Sequence, residues 1–330
     1  KSVRSKNKVL ENLSAYRADC IERLMRDGCD LEPVIGDTDL EKLIKVFCVI
    51  TGASRGIGKA LSLGVSKIIG DNSLMVLMSR KPEDLERTAL ECMEGTNVLV
   101  KCFGLDLGDI SLAAIEERIL DSIKDCNLDE FDKVLIIHNV GSIGNLDVET
   151  DRLEDVEEMN KYYTLNVFNV IGLNTKLLKI FEKYEEKLVI VNITSLCAIK
   201  PMGGLPYYCS GKAAREMYFK VLAEEKPNIR ILNYSPGPVK TEMIEYIVDK
   251  AVNKNLKEVF TSFKEQDSLL EPQMVGGGKK SLFMFLMRLV WKCRYSMPLI
   301  LSGTAALLGR AYMIQIRIHR EPIMNDHEVS

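Results

Sequence analysis

Apolar residues fall in short runs separated by amphipathic stretches, and this alternation begins at Val46. Val46–Thr51 is a near-continuous apolar run that ends in a glycine-rich turn, the pattern of a strand covered on both faces. Positions 57–69 then repeat apolar residues at helical spacing. Leu74–Met78 predicts a second strand, a charged helix begins at Glu83, Asn97–Phe103 predicts a third strand and Val134–His138 a fourth. A long helical stretch covers about 151–184, followed by a fifth strand at Leu188–Ile193. The helix carrying Tyr208 and Lys212 comes next, and Ile229–Asn233 is the sixth strand. Strands and helices taking turns in this way predict an α/β fold, a parallel sheet with helices on both faces.

Two flanking regions follow other patterns. In residues 1–45, Val9, Leu10, Leu13, Tyr16, Cys20, Leu24 and Met25 recur at helical spacing, Gly28 is a stop signal, and Thr38-Asp-Leu-Glu41 reads as a capping box. This predicts a helical N-terminal extension, either packed on the domain or serving as a partner-binding arm. From residue 273 the chain changes again. Gly276-Gly-Gly278 interrupts it, and basic residues then outnumber acidic ones. Tyr295–Gly309 is uncharged and bracketed by Arg294 and Arg310, but it is shorter than the roughly 20 residues needed to cross a bilayer. Three readings stay open for this atypical basic and apolar tail, 273–330: an altered translation product, a segment lying in a membrane surface, or ordinary packing on the domain or a dimer partner. The span 46–272 between the flanks is the candidate catalytic domain.

Composition narrows the class. With 46% hydrophobic and 28% charged residues the chain reads as an ordinary globular protein, and a net charge of −3 gives no reason to expect nucleic acid. Its nine cysteines form no C-x-x-C pair and have no histidine cluster beside them, so reduced thiols in the cytosol are expected, with neither a disulfide frame nor a metal site. The start, Lys1 to Lys8, is basic and polar without the apolar run of a secretory signal. Asn192-Ile-Thr194 matches a glycosylation pattern but falls in the fifth strand, so it is discounted.

The chemistry lies in two motifs. Gly52-Ala53-Ser54-Arg55-Gly56-Ile57-Gly58 sits between a strand and an amphipathic helix, where the backbone can approach a pyrophosphate and a helix N-terminus can receive it. It points to a single Rossmann-type, doubly wound sheet. An NAD site would carry an acid after the second strand. Here Ser79 is followed by Arg80 and Lys81, with Arg55 already in the loop, which suits the 2′-phosphate of NADPH. Asp106 and Leu107 follow the third strand, where the adenine is expected, and Asn139-Val-Gly141 follows the fourth. The second motif is Tyr208-Cys-Ser-Gly-Lys212, with Ser195 upstream. Residues i and i+4 share a helical face, so the lysine ammonium is expected to lower the phenol from its usual value near 10 and make Tyr208 a usable acid. Tyr207 has no lysine at that spacing.

Together these motifs resemble the short-chain dehydrogenase/reductases. The segments Asn192-Ile-Thr-Ser-Leu-Cys-Ala198, Tyr208-Cys-Ser-Gly-Lys-Ala-Ala-Arg215 and Asn233-Tyr-Ser-Pro-Gly-Pro-Val-Lys-Thr-Glu-Met243 are similar to the sepiapterin reductases among them, over about two-thirds of the chain. The resemblance implies that Ser195 polarises a carbonyl, Tyr208 protonates it, Lys212 holds the nicotinamide ribose and tunes Tyr208, and Asn166 holds a relay water. It assigns NADPH to Gly52–Gly58, Arg80, Lys81, Asp106 and Leu107, with Val239, Lys240, Thr241, Glu242 and Met243 at the nicotinamide end. Leu196 and Gly237 would line the substrate pocket. The implied reaction is reduction of side-chain carbonyls of 6-pyruvoyl-tetrahydropterin or sepiapterin, in tetrahydrobiopterin biosynthesis, by a cytosolic homodimer. The chain departs from that family at its end. The family's terminal Ser-Gly-Ala-His-Val-Asp-like segment carries an aspartate that grips the pterin, whereas Ser302-Gly-Thr-Ala-Ala-Leu307 has leucine there, and Asp326 and Glu328 stand in an unrelated context. Two alternatives therefore stay open: a broader NADPH-dependent carbonyl reductase, and a cofactor-binding protein without activity.

Overall fold

A computed structural model describes residues 44–276 and the backbone of two further strands, Leu299–Gly303 and Ile314–Ile318. The helices expected before residue 44, and the tail positions Arg294, Arg310, Asp326 and Glu328, lie outside the described residues.

Six strands form one parallel sheet: β1 (Val46–Thr51), β2 (Leu74–Ser79), β3 (Leu99–Gly104), β4 (Lys133–His138), β5 (Leu188–Ile193) and β6 (Arg230–Tyr234). Their order is β3-β2-β1-β4-β5-β6, as the alternation predicted for a doubly wound fold. The direction of winding reverses between β1 and β4, and in such sheets ligands bind past the strand ends at that switch point. Strand β1 shows why both faces are covered. Val46, Cys48 and Ile50 meet Leu61 and Val65 of α1 (Gly56–Ser66) and Leu85 and Cys92 of α2 (Pro82–Met93). The alternate residues Phe47 and Val49 point the other way. They share a core with α3 (Leu112–Ile123), α5 (Asn169–Ile180) and α6 (Pro206–Glu225).

The stretch expected as one long helix, about 151–184, is interrupted three times. A 3₁₀ turn (Thr150–Arg152) precedes α4 (Val156–Tyr163), a wide π turn (Thr164–Phe168) joins α4 to α5, and a second 3₁₀ segment follows at Glu182–Lys187. The side-chain amide of Asn166, within the π turn, donates to Tyr162 O (2.8 Å) and Ser142 Oγ (3.1 Å), and its Oδ1 accepts from Ser142 N (2.7 Å). Interruptions of this type often mark functional positions. A third apolar cluster lies beyond the strand ends. In it Ile143, Cys197 and Leu205 pack with Ile244 of α7 (Glu242–Lys250) and with Leu256 and Phe260 of α8 (Lys254–Glu265).

The segment α9 (Pro272–Gly276) packs on α1, with Val275 buried at 2% exposure. A Cβ added at Gly276 would meet the backbone of Ala60 and Leu61. Strand β7 (Leu299–Gly303) pairs antiparallel with β8 (Ile314–Ile318) and lies beside β6. No helix among the described residues is long and apolar enough to cross a membrane, and no group of described residues has the makings of a metal site.

Candidate active site

The glycine loop folds as its composition requires. Gly52 adopts φ +67°, a left-handed conformation that a residue with a Cβ rarely takes, and a Cβ at Gly58 would run into the Gly52 carbonyl. The loop is stitched to the switch point from across the sheet. Asn139 Nδ2 donates to Thr51 O (3.0 Å) and Gly52 O (3.1 Å), and Thr51 Oγ1 accepts from the backbone N–H groups of Asn139 and Val140, both at 3.1 Å. Asn139 thus shapes the loop from behind. Helix α1 begins here with no side-chain cap and no acid in its first turn, leaving N–H groups and a partial positive charge facing the cleft. Ser79 Oγ bonds Ser54 Oγ at 2.6 Å, bringing the end of β2, and so the exposed Arg80 and Lys81, to the same rim. These residues fit a dinucleotide: a tight turn, an uncapped helix start, and cations where its adenosine end would lie.

Several positions assigned to the cofactor have other partners in this structure. Arg55 is ion-paired to Glu242, both exposed. Lys240 Nζ donates to Glu271 Oε1 (3.1 Å), and Val239 is buried and bridges to Leu270. Thr241 lies over the loop, since a Cβ at Gly56 would come within 3.3 Å of its methyl group. Asp106 Oδ1 accepts from Gly108 N (2.9 Å), while Leu107 is sunk in the core and its carbonyl accepts from Asn169 Nδ2 (2.5 Å). Met243 and Tyr208 both pack against the third cluster, Leu196 is half-buried, and Gly237 is exposed with φ +80°.

The Ser195, Tyr208 and Lys212 set assembles where β5 ends. Helix α6 starts with Pro206 in its first turn, where the missing N–H costs nothing. Lys212 stands one turn beyond Tyr208, with its ammonium nitrogen 5.6 Å from the Tyr208 ring centroid. That nitrogen is buried and donates to Ile193 O at 2.6 Å. Ser195 opens the turn after β5, its Oγ accepting from Cys197 N (3.2 Å) and hydrogen-bonding with Tyr208. Asn166 Oδ1, Lys212 Nζ and Arg215 Nη1 converge around Gly141, as the neighbours of a Cβ placed there show.

One electrostatic expectation is corrected. Burial pushes the Tyr208 phenol up to about 12, with the Cys197 thiol adding to the rise. The influences that bring it down are the Ser195 hydrogen bond and the Arg215 charge, while Lys212 is itself held well below the usual lysine value, by burial and then by Arg215. A lysine pressed to give up its proton is a weak source of positive potential. Sequence reading missed Arg215 as a site residue. The available signal was its place three residues past Lys212, on the same helical face. Thr51 was missed too, as were Cys197 and Cys209, two thiols that hydrogen-bond each other, which raises the first and lowers the second.

Comparison with known proteins agrees with this geometry. The short chain dehydrogenase family matches residues 46–251. Sepiapterin reductase of Bos taurus is 33% identical over 69% of this chain and 85% of its own length, and that of Xenopus tropicalis is 34% identical over 69% and 87%. Benzil reductase ((S)-benzoin forming) of Bacillus subtilis is 25% identical over 71% of this chain and 91% of its own. Among solved structures, the KRED1-Pglu enzyme superposes with a TM-score of 0.60 at 26% identity, covering 74% of this chain and 95% of its own. The chain belongs to the short-chain dehydrogenase/reductases, oxidoreductases of carbonyl and alcohol groups that work with a nicotinamide cofactor, and within them it is similar to the sepiapterin reductases.

Proposed function

We propose that this protein reduces side-chain carbonyls of a pterin with NADPH, in the manner of a sepiapterin reductase. The observation that carries the reading is the Ser195, Tyr208 and Lys212 cluster at the end of β5, facing a glycine loop with cations on its rim. Bound NADPH would lie along Gly52–Gly58, with Arg80 and Lys81 available to its 2′-phosphate and Arg55 shared with Glu242, and it would supply the hydride. The protein's own part is to handle the developing negative charge on oxygen. Ser195 Oγ accepts from Cys197 N and hydrogen-bonds Tyr208, which sets its hydroxyl beside the proton donor, where it can turn to the substrate oxygen. Tyr208, neutral at physiological pH because burial raises it, holds the proton to be transferred to that oxygen. Two donors converging on one oxygen favour the transition state over the substrate. Lys212, anchored on Ile193 O, is placed to meet the ribose, and Asn166 holds the Ser142 turn beside it.

The benzil reductase relative favours a second reading, a reductase of simpler diketones, and the leucine at 307 in place of a pterin-gripping acid supports it. NADPH oxidation measured with sepiapterin and with benzil separates the two. Turnover of sepiapterin alone supports pterin reduction, turnover of both supports the broader enzyme, and NADPH binding without turnover of either sinks both. We also read the protein as a homodimer. Met217 and Val221, one turn apart on α6, and Phe168 in the adjacent π turn are large apolar side chains left exposed. A monomer in sedimentation would contradict this. The unpaired thiols among the described residues support a reducing, cytosolic setting.

A further inference from the structure

Arg215 heads the largest fully buried side chains of the described core, at 1% exposure, and the reaction outlined above does not use it. It shares one face of α6 with Tyr208 and Lys212. Its Nε and Nη2 donate to Asn192 Oδ1 at 3.1 and 2.8 Å, Nη2 also donates to His138 O at 2.8 Å, and Nη1 donates to Val140 O at 2.7 Å. Every one of these acceptors is neutral. The one carboxylate close by in sequence, Glu216, spends its oxygens on Thr194 Oγ1 and Lys220 Nζ. A guanidinium buried without a counter-ion is costly, and an uncharged amide side chain could supply hydrogen bonds between strand ends without that cost. The charge therefore calls for its own explanation, and Gly141 marks where it acts, with Arg215 Nη1 and Lys212 Nζ both close to it.

Building on the carbonyl-reductase reading, we infer that Arg215 is a positioning residue that holds the Val140–Gly141 turn against Lys212 and supplies a positive charge that sets the working pH of the Tyr208–Lys212 pair. The groups around it leave that charge uncancelled. On its own helix these are Tyr208, Cys209, Lys212 and Glu216; Tyr162 comes from α4, His138 from β4 and Cys197 from the turn after β5. Burial keeps His138 neutral by pushing it down to about 3 and keeps Tyr162 neutral by pushing it up, while the hydrogen bond with Cys209, and then burial, push Cys197 up. The Arg215 charge lowers both Tyr208 and Lys212.

Three variants test this. Asn192→Asp keeps the two bonds from Arg215 and sets a carboxylate against the guanidinium. Asn233 can adapt, because its Nδ2 has no partner and can turn to the new carboxylate, replacing the 2.8 Å bond that Asn233 Oδ1 now accepts. Arg215→Met removes the charge, and Arg215→Lys retains it without the fork. Removing positive potential raises both titration steps of a coupled pair, whichever member loses its proton first. The alkaline limb of kcat/KM for carbonyl reduction should therefore move up by about one pH unit in Asn192→Asp and Arg215→Met. Arg215→Lys should turn over more slowly but keep the wild-type limb. An unmoved limb in Asn192→Asp, or equal shifts in Arg215→Lys and Arg215→Met, overturns the inference. If wild-type protein reduces no carbonyl, the functional reading fails separately. The inference is then read from the ultraviolet phenolate signal that Tyr208→Phe removes, which should appear at higher pH in Asn192→Asp than in wild type; the same onset in both overturns it.

Discussion

At the scale of single residues, the site separates the group that holds the proton from the groups that set its readiness to leave. With Tyr208 as the proposed donor, Tyr208→Phe should cut turnover by about 100-fold or more while leaving NADPH affinity near wild type, as nicotinamide fluorescence titration would show. Loss of cofactor binding alongside turnover would instead mean that the ring supports the cleft. The pH dependence follows from the two shifts. Lys212 lies well below the usual lysine value and Tyr208 is pushed up to about 12, so the lysine proton leaves first as pH rises. Once Lys212 is neutral the phenol loses a cationic neighbour and becomes a poorer acid. Reduction should thus be fastest below the Lys212 pKa and fall as pH climbs through it. Lys212→Arg, which does not titrate there, should flatten that limb in a pH–rate profile. A thiol follows the same logic. The hydrogen bond from Cys197 favours the thiolate of Cys209, whereas burial pushes Cys48 and Cys92 up. Iodoacetamide at neutral pH should label Cys209 well before the other two, by peptide mass spectrometry, and equal labelling would count against the thiol pair.

At the scale of elements, the ends of strands and the breaks in helices decide what reaches the cleft. Strands β1 and β5 have the limits read from their apolar runs, because a strand buried on both faces is written as a continuous apolar word. The break between α4 and α5 was not legible. Thr164–Phe168 contains no Gly or Pro to signal a break, and the wide turn is held by bonds between Asn166 and Ser142, a residue far away in sequence. At the cofactor rim the Arg55–Glu242 pair joins α1's entry to α7's first turn, and its exposure makes it worth at most about 1 kcal/mol. Glu242→Gln should therefore tighten NADPH by no more than about fivefold, measured as Kd, with an unchanged melting temperature. A larger gain would mean that Glu242 repels the cofactor directly.

At the scale of the whole molecule, the catalytic unit runs as far as α9, whose Gly276 sits against the backbone of Ala60 and Leu61 under the cofactor helix. Gly276→Ala should force these segments apart, costing about 1–3 kcal/mol and lowering Tm by roughly 3–8 °C in calorimetry. An unchanged Tm would show that α9 does not bear on α1. The sequence alone determined the βα order, the parallel sheet, the glycine loop and the spacing of Ser195, Tyr208 and Lys212. All of these are local, written in the periodicity of neighbouring residues or in fixed offsets along one helix. Only the tertiary structure decided which charge acts on Tyr208, that Asn139 braces the loop from β4, and that Asp106 and Leu107 turn toward their own surroundings. Those outcomes depend on burial and, for Asn139 and Leu107, on partners dozens of residues away. A one-dimensional pattern shows that Lys212 lies beside Tyr208, but desolvation and the neighbouring Arg215, set by the packed fold, determine how firmly that lysine keeps its proton.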